Sequence, residues 1–353
     1  MGLPRGDVAE NWAMRLLVMG GSVFLGRTFV AEALRHGHDV TTFNRGLTGR
    51  DVPGVEAVRG DREVTADLRR LVAGRHWDAV VDVCGFTPRV VGESARILSG
   101  HADTYAFISS ISAFPGWPGE AVDENSPLHD CPPDAGPDDG DYGQLKAGCE
   151  RAVESSFDGQ VLIISPGLIL GPYENVGRLP WWLRRIARGG TVLAPGDPQR
   201  EMQLIDARDI AVFGLARIAA GATGRFLTSG VLGNATFGRL LSDCVSTTGS
   251  DAELVWVDDA FLLEREVGPW TELPLWTPDA AGFAGTWLPS SAKALAAGLS
   301  CRPVAETVRD TWEWLSTEAP DVLPRYRNTT PDQGIDPDKE RAILEAWAAE
   351  QSG

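Results

Sequence analysis

The sequence predicts an α/β fold, a doubly wound parallel sheet with a smaller C-terminal lobe. Strands alternate with helices through the first half of the chain, the strands are continuous Val/Ile/Leu runs, and a glycine cluster closes the first strand. Continuous apolar runs mean that both faces of the sheet are covered. The first strand, residues 16–19, ends at Gly20-Gly21, and a helix follows over 26–35. Gly37-His38-Asp39 then turns the chain into a second strand at 40–43. A short strand near 55–59, a helix near 64–72 and a strand at 79–83 continue the alternation. A helix near 89–98, a strand at 105–109, a helix near 143–156 and a strand at 161–165 complete it. Beyond residue 170, Pro-, Gly- and Trp-bearing segments dominate and read as a lobe built from insertions. One helix near 208–219 returns to the sheet, and another near 304–316 closes the body. The expected organisation is an N-terminal extension over 1–13, a nucleotide-binding unit over 14–170, and a substrate-binding lobe over 171–316 interleaved with returning elements at 203–230. A tail over 317–353 ends in a short helix, and the acidic, proline-rich segment 131–141 is expected to be mobile.

Composition bounds the partners. With 43% hydrophobic and 23% charged residues the chain has material for a buried core and no signature of wholesale disorder. Acidic residues outnumber basic ones 49 to 32, a net charge of −17, which argues against a nucleic-acid backbone or an anionic membrane surface as partner. The five cysteines show no CxxC spacing, so a reduced, cytoplasmic setting is the simplest expectation, and the scattered histidines form no metal-ligand pattern. No apolar run approaches the ~20 residues of a membrane span, and the polar start of the chain does not read as a signal peptide.

Gly20-Gly21-Ser22-Val23-Phe24-Leu25-Gly26 lies between the first strand and the first helix. A dinucleotide needs glycines there so that backbone can approach its pyrophosphate, and a helix N-terminus offers unpaired N–H groups and a positive dipole end. The alternative is a tight turn with no ligand. Asn44-Arg45 ends the second strand, where an acidic residue would select NAD by binding its ribose 2′-hydroxyl. Arg45 suits a 2′-phosphate instead, so NADP is preferred over NAD. Asp61, after the third strand, is placed to meet the adenine edge or to cap the following helix.

Tyr142-Gly143-Gln144-Leu145-Lys146 is the most informative stretch. Tyr142 and Lys146 lie four apart on one helical face, so an ammonium can favour a phenolate that acts as base or a phenol that acts as acid. The chain has only four tyrosines and three lysines, which makes the spacing an improbable coincidence. Ser109-Ser110 follows a strand end, where a hydroxyl can hold a substrate oxygen or simply finish the strand. Trp181, Trp182 and Gln203 are expected to shape an apolar pocket with Ser109, although the aromatics could be ordinary core.

Taken together, the glycine cluster, the serine-bearing strand and Tyr142/Lys146 resemble the extended short-chain dehydrogenase/reductase superfamily, in its NAD(P)-dependent epimerase/dehydratase branch. The resemblance covers roughly 14–316 and includes Pro166-Gly167 and Asp206-Ala207-Arg208-Asp209-Ile210-Ala211. It implies a Rossmann-type fold, a homodimer, and a catalytic set of Ser110 (with Ser109 as the other candidate), Tyr142 and Lys146, the lysine also holding the nicotinamide ribose. Three positions depart from the family pattern: Val23 replaces the middle glycine, Leu168 stands where nucleotide-sugar enzymes commonly carry asparagine, and Met202 where an arginine often grips the diphosphate. The expected substrate is therefore a small molecule other than a nucleotide sugar. The wording around the glycines also resembles a group with chloroplast RNA-binding relatives, a role the net charge of −17 opposes. The expected activity is hydride transfer between NADP(H) and a carbonyl or secondary alcohol. Redox-neutral epimerisation or dehydration on tightly held NAD is the alternative, and a non-catalytic cofactor-binding regulator is the alternative from another class.

Overall fold

The computed structural model describes residues 13–47, 50–318 and 334–352, so most of the expected N-terminal extension and the start of the tail lie outside the described residues. The chain opens with β1 (Arg15–Met19), α1 (Phe24–Arg35), β2 (Asp39–Asn44), β3 (Glu56–Arg59), α2 (Thr65–Val72), β4 (Trp77–Asp82) and α3 (Pro88–Leu98). It continues with β5 (Ala102–Ile108), α4 (Tyr142–Ser156) and β6 (Gln160–Pro166). The main sheet has seven strands and completes itself much later in the chain with β11, defined below. Its ladders are parallel throughout, with β1 between β2 and β4. The chain thus winds outward in both directions from β1, and the crevice outside the carboxyl ends of β1 and β4 is the topological switch point.

Each central strand serves two cores, which explains its unbroken apolar run. Leu16 and Val18 of β1 face a cluster with Phe29, Val30 and Ile210, whereas Leu17 and Met19 face one with Leu68, Leu71 and Val91. Ala106 and Ile108 of β5 join the first cluster, and Tyr105 and Phe107 the second. The helices start earlier than the periodicity predicts: α1 begins at Phe24 rather than 26, and α4 at Tyr142 rather than 143.

The lobe carries more regular structure than its sequence suggests. It adds β7 (Leu168–Leu170), α5 (Arg178–Ala187), β8 (Thr191–Pro195), β9 (Glu201–Met202), β10 (Leu204–Asp206), α6 (Ala207–Ala219) and β11 (Gly224–Thr228). Then come β12 (Ala235–Thr236), α7 (Phe237–Thr248), β13 (Glu253–Val257), α8 (Asp259–Glu264), α9 (Ala292–Ala296), α10 (Val304–Thr317) and α11 (Pro337–Gln351). Helix α6 packs on the sheet through Ile210 and Ala211, and β11 pairs with β6. The rest of the lobe packs around a separate core that includes Leu179, Trp182, Leu240, Trp276 and Val308. Pro180 within the first turn of α5 disguises that helix in the sequence, although a proline there costs no hydrogen bond. Segment 131–141, expected to be mobile, is anchored: Cys131 and Ala135 are buried against Leu145, and Arg151 donates to the Cys131 carbonyl at 2.9 Å.

Helix α11 is tied to the lobe by a buried ion pair. The Arg185 Nε of α5 donates to both carboxylate oxygens of Glu340, at 3.0 and 2.8 Å, and the Leu193 N–H donates to Glu340 Oε1 at 3.1 Å. Removing one partner leaves an uncompensated buried charge. Arg185→Leu is therefore expected to cost about 3–5 kcal/mol in chemical denaturation, whereas Arg341→Leu, an exposed pair with Asp338, should change stability by less than about 1 kcal/mol.

Candidate active site

The glycine turn is built for close backbone approach at the switch point. Gly20 and Gly21 take φ of +105° and +88°, values that L side chains rarely adopt. A Cβ on Gly26 would lie 2.7 Å from Val83 Cγ2 and 3.0 Å from the Gly21 nitrogen, so this glycine permits α1 to press against the end of β4. Val23 stands in for a family glycine without strain, because its φ of −132° is ordinary extended backbone. Val23 provides no side-chain cap and the first turn of α1 holds no acid, so the terminal N–H groups of Phe24, Leu25 and Gly26 remain for an anionic ligand. Ser22 completes the turn. This arrangement of positive-φ glycines, an uncapped helix and a switch-point crevice fits a dinucleotide.

At the end of β2 the Asn44 side chain ties the turn to the neighbouring strand. Its Nδ2 donates to the Gly20 carbonyl at 3.0 Å, and its Oδ1 accepts from Arg59 Nη1 at 2.8 Å and from the Gly46 N–H at 2.8 Å. Arg45 is half exposed and lies 3.9 Å from Asp61. Asp61 also accepts from the Glu63 N–H at 3.0 Å, a turn ahead of α2; it does not cap that helix, whose N-cap is Val64 without a side-chain bond. Arg59, which the sequence reading did not single out, brings a second guanidinium to the same edge.

A buried network under the end of β4 was also absent from the sequence reading. Arg62 pairs bidentately with Asp82 at 2.8 and 2.8 Å, Tyr105 donates to Asp82 Oδ2 at 2.7 Å, and the Cys84 N–H donates to Asp82 Oδ1 at 3.1 Å. Burial alone would raise the Asp82 carboxyl, but the Arg62 charge and the hydrogen bonds outweigh it and hold it below its ordinary value. Burial and the Asp82 charge push the Tyr105 phenol far up, and burial raises the Cys84 thiol to about 11, so neither is a base near neutrality. The network fixes the loop that carries Gly85.

Lys146 reaches that loop. Its Nζ donates to the Gly85 carbonyl at 2.9 Å and to the Ile108 carbonyl at 2.8 Å, with the rings of Phe86 and Phe107 at 4.6 and 4.8 Å. The side chain is 2% exposed, and an ammonium has three donors, so one N–H remains after these two bonds. Tyr142, one turn earlier, is 47% exposed and its hydroxyl makes no hydrogen bond among the described residues. A capping box sets the start of α4: Asp141 accepts from the Gln144 N–H at 2.9 Å, and Gln144 Oε1 from the Asp141 N–H at 2.8 Å.

The structure separates the two serines. Ser109 donates to buried Glu150, whose carboxylate also accepts from Arg225 Nε at 2.9 Å, so its hydroxyl is committed to the core rather than to the expected pocket. Burial raises the Glu150 carboxyl against the pull of the Arg225 charge and the Ser109 hydrogen bond. Ser110 instead accepts from the Ser112 N–H at 3.1 Å, which leaves its own O–H to donate. Gly143 joins this turn to α4: a Cβ there would lie 2.1 Å from the Ser112 carbonyl oxygen. Backbone contact of that kind places Ser110 and the Tyr142–Lys146 turn side by side.

Two expected pocket residues are corrected. Trp182 is fully buried in the lobe core, its Nε1 donating to the Pro274 carbonyl at 2.6 Å, and Trp181 packs edge-on against it at 4.7 Å. Both serve packing, the alternative that the apolar run left open. Gln203 is buried, with Nε2 donating to the carbonyls of Gly230 at 3.2 Å and Pro289 at 2.8 Å. Among the described residues no group of His, Cys, Asp and Glu is arranged to hold a metal, and no helix is long and apolar enough to cross a membrane.

No family model matches the sequence. A curated relative, a 2′-dehydrokanamycin reductase of Streptomyces kanamyceticus, is 28% identical over 208 residues, 57% of this chain and 56% of its own length, so the match spans little more than half of that protein. The Bordetella bronchiseptica enzyme WbmH, solved in complex with NAD+, superposes with a TM-score of 0.67 at 15% identity, covering 87% of this chain and 99% of WbmH. The UDP-glucose 4-epimerase of Thermotoga maritima, solved with UDP-glucose, gives 0.64 at 17% identity, covering 86% and 99%. The fold is that of these enzymes, and it fits the resemblance to the extended short-chain dehydrogenase/reductase superfamily.

Gly143→Ala tests the contact that joins the two halves of the site. The added methyl has to displace the Ser112 carbonyl, so a stability loss of about 1–3 kcal/mol by denaturation is expected, together with a shift of the α4 start in a crystal structure of the variant.

Proposed function

We propose that this protein is an NADP(H)-dependent short-chain dehydrogenase/reductase that interconverts a carbonyl and a secondary alcohol on a polar small molecule. The observation that carries the reading is the buried Lys146 ammonium, held by two backbone carbonyls at the sheet edge with one donor left over, one helical turn from an unengaged tyrosine. When bound, the dinucleotide supplies or accepts the hydride. In the reductive direction the Tyr142 hydroxyl gives its proton to the carbonyl oxygen, and the Ser110 O–H donates a hydrogen bond to that oxygen. The positive charge of Lys146 favours the phenolate left behind, and its remaining N–H is free to hold a ribose hydroxyl. The turn from Gly20 to Gly26, with Ser22, Val23, Phe24 and Leu25, holds the pyrophosphate.

Arg45 supports NADP, since its exposed guanidinium stands just past the end of β2 where a 2′-phosphate reaches in this fold; Arg59 beside it is held by Asn44 and the Asp51 carboxylate. A net reduction also agrees with the relative that bears the name of a reductase. The UDP-glucose 4-epimerases among the structural neighbours favour redox-neutral epimerisation on retained NAD as the second reading. The substrate is better served by amines than by phosphates. Between Ile111 and Leu145, the stretch that leads to Tyr142, there are eight acidic residues and no lysine or arginine. Such a stretch raises the local concentration of cations and repels a diphosphate. The relative's name makes its substrate 2′-dehydrokanamycin, a ketone.

Tyr142→Phe is expected to lower kcat with a ketone of this kind by about 100- to 10,000-fold while the NADPH Kd stays within about twofold, because the variant keeps the cofactor contacts and loses the proton. Unchanged turnover would overturn the assignment. Arg45→Ala should weaken NADPH by about tenfold and leave NADH nearly unaffected, as read by fluorescence titration. Equal loss for both would show that the second strand does not select a phosphate.

A further inference from the structure

Arg27 directly follows Gly26, the last glycine of the turn, and belongs to the first turn of α1: its N–H donates to the Val23 carbonyl at 3.2 Å. Its side chain reaches two segments that are distant in sequence. Nη1 donates to the Arg50 carbonyl at 2.9 Å, and the guanidinium carbon lies 4.5 Å from the centre of the Tyr173 ring. Arg50 precedes Asp51, which pairs with Arg59, and Arg59 is bonded to Asn44, the residue that holds the Gly20 carbonyl. On the other side the Tyr173 hydroxyl donates to Glu318 Oε2 at 3.0 Å, just past α10, and the Tyr173 ring packs on Trp314 of that helix at 5.1 Å. Arg27 thus stands between the nucleotide-binding edge and the lobe.

Tyr173 takes a conformation that L-residues rarely adopt, with a φ of +67°. The chain on its far side is fixed, since buried Glu174 accepts from the N–H groups of Arg178 at 3.0 Å and Leu179 at 3.3 Å. Left-handed backbone at a tyrosine persists only where the surroundings over-determine it, and strain of this kind gathers at ligand clamps and switch regions. The ring is held on three sides: by the attraction between its face and the Arg27 charge, by Trp314, and by Glu318. Burial and the bond to Glu318 push the Tyr173 phenol above its ordinary value, so its hydroxyl remains a donor through the neutral range.

We propose that Arg27, Tyr173 and Glu318 form a clasp that pins the lobe to the first turn of α1 and slows release of a bound dinucleotide. The inference rests on the reading of the glycine turn as the pyrophosphate site and does not depend on the substrate or on hydride transfer. The N–H groups of Phe24, Leu25 and Gly26 lie in the same helical turn as Arg27, so a lobe tied to Arg27 fixes the helix start on which the pyrophosphate rests. The bond to the Arg50 carbonyl steadies the chain beyond β2 from the same point. Arg27 and Tyr173 are positioning residues here. Choice between NADP and NAD stays with Arg45, so the clasp acts on both dinucleotides alike.

Stopped-flow release of NADPH and of NADH from the full chain, followed by nucleotide fluorescence, provides the test. Arg27→Met and Tyr173→Leu are each expected to raise both off-rates by about three- to tenfold, with on-rates within about twofold of the parent. Tyr173→Phe and Glu318→Ala lose only the bond between them, so they should match each other at about twofold; Glu318 is exposed, and its loss does not threaten folding. The double variant Arg27→Met/Tyr173→Leu should release nucleotide no more than about twofold faster than Arg27→Met alone, because the two residues act as a unit. A fall in melting temperature with off-rates unchanged overturns the clasp and shows that the contacts serve stability alone. Off-rates raised by Arg27→Met but not by Tyr173→Leu overturn it as well, and show that the arginine meets the phosphates itself. A parent protein that binds neither NADPH nor NADH defeats the dinucleotide reading of the turn and removes the clasp with it, a failure distinct from nucleotides that bind and leave every variant at the parent's rate.

Discussion

The site is organised around one buried cation. Lys146 is 2% exposed, makes no ion pair among the described residues, and is stabilised by the carbonyls of Gly85 and Ile108 with two aromatic faces nearby. Burying an ammonium without a carboxylate is expensive, so the fold must supply fixed dipoles in its place. Each dipole lies at the carboxyl end of a parallel strand, where the backbone leaves the sheet and its carbonyls are no longer used in the ladder. The charge is therefore not neutralised, and its field is available to whatever approaches the Tyr142 side of α4. Much of the neighbouring structure serves to hold those two carbonyls. The Arg62–Asp82–Tyr105 network fixes the Gly85 loop, and the α4 capping box sets which residue of the helix meets it.

This dependence explains which parts of the sequence were readable. The strands β1, β4, β5 and β6 announce themselves because both faces of their central residues are buried, which gives the continuous apolar runs 16–19, 79–81, 105–108 and 161–164. Tyr142 and Lys146 were legible because both residue types are rare in this chain and the helical spacing is simple. Asp82 and Arg62 were not, since twenty residues separate them and neither forms a motif; only an aspartate closing the apolar run 79–81 hinted at a buried partner. Gly143 was silent because a close backbone approach from a distant turn leaves no trace in local sequence. Ser109 and Ser110 are chemically identical neighbours. Their difference lies in Glu150, forty-one residues on in the case of Ser109, which claims one hydroxyl and leaves the other. In the lobe, Pro180 concealed α5, and the tryptophans that suggested a pocket at 181–182 proved to be core, whereas Trp117, Trp270 and Trp287 gather near the sheet edge.

In the proposed function, charge bears on the approach of ligands. The acidic stretch before α4 acts at long range and is screened by salt, so it concerns encounter more than final affinity. Arg45 and Arg59 stand at the ends of β2 and β3, paired with Asp61 and Asp51.

The most direct test of hydride transfer at the Lys146 edge is isotopic. NADPH carrying deuterium at the transferable C4 position is supplied with 2′-dehydrokanamycin and a panel of amine-bearing sugar ketones, and the products are analysed by mass spectrometry. The account predicts one deuterium on the new carbinol carbon and one NADP+ formed per alcohol, with both lost in Lys146→Met. Products that carry no label, or label transfer that persists without the lysine ammonium, would contradict it.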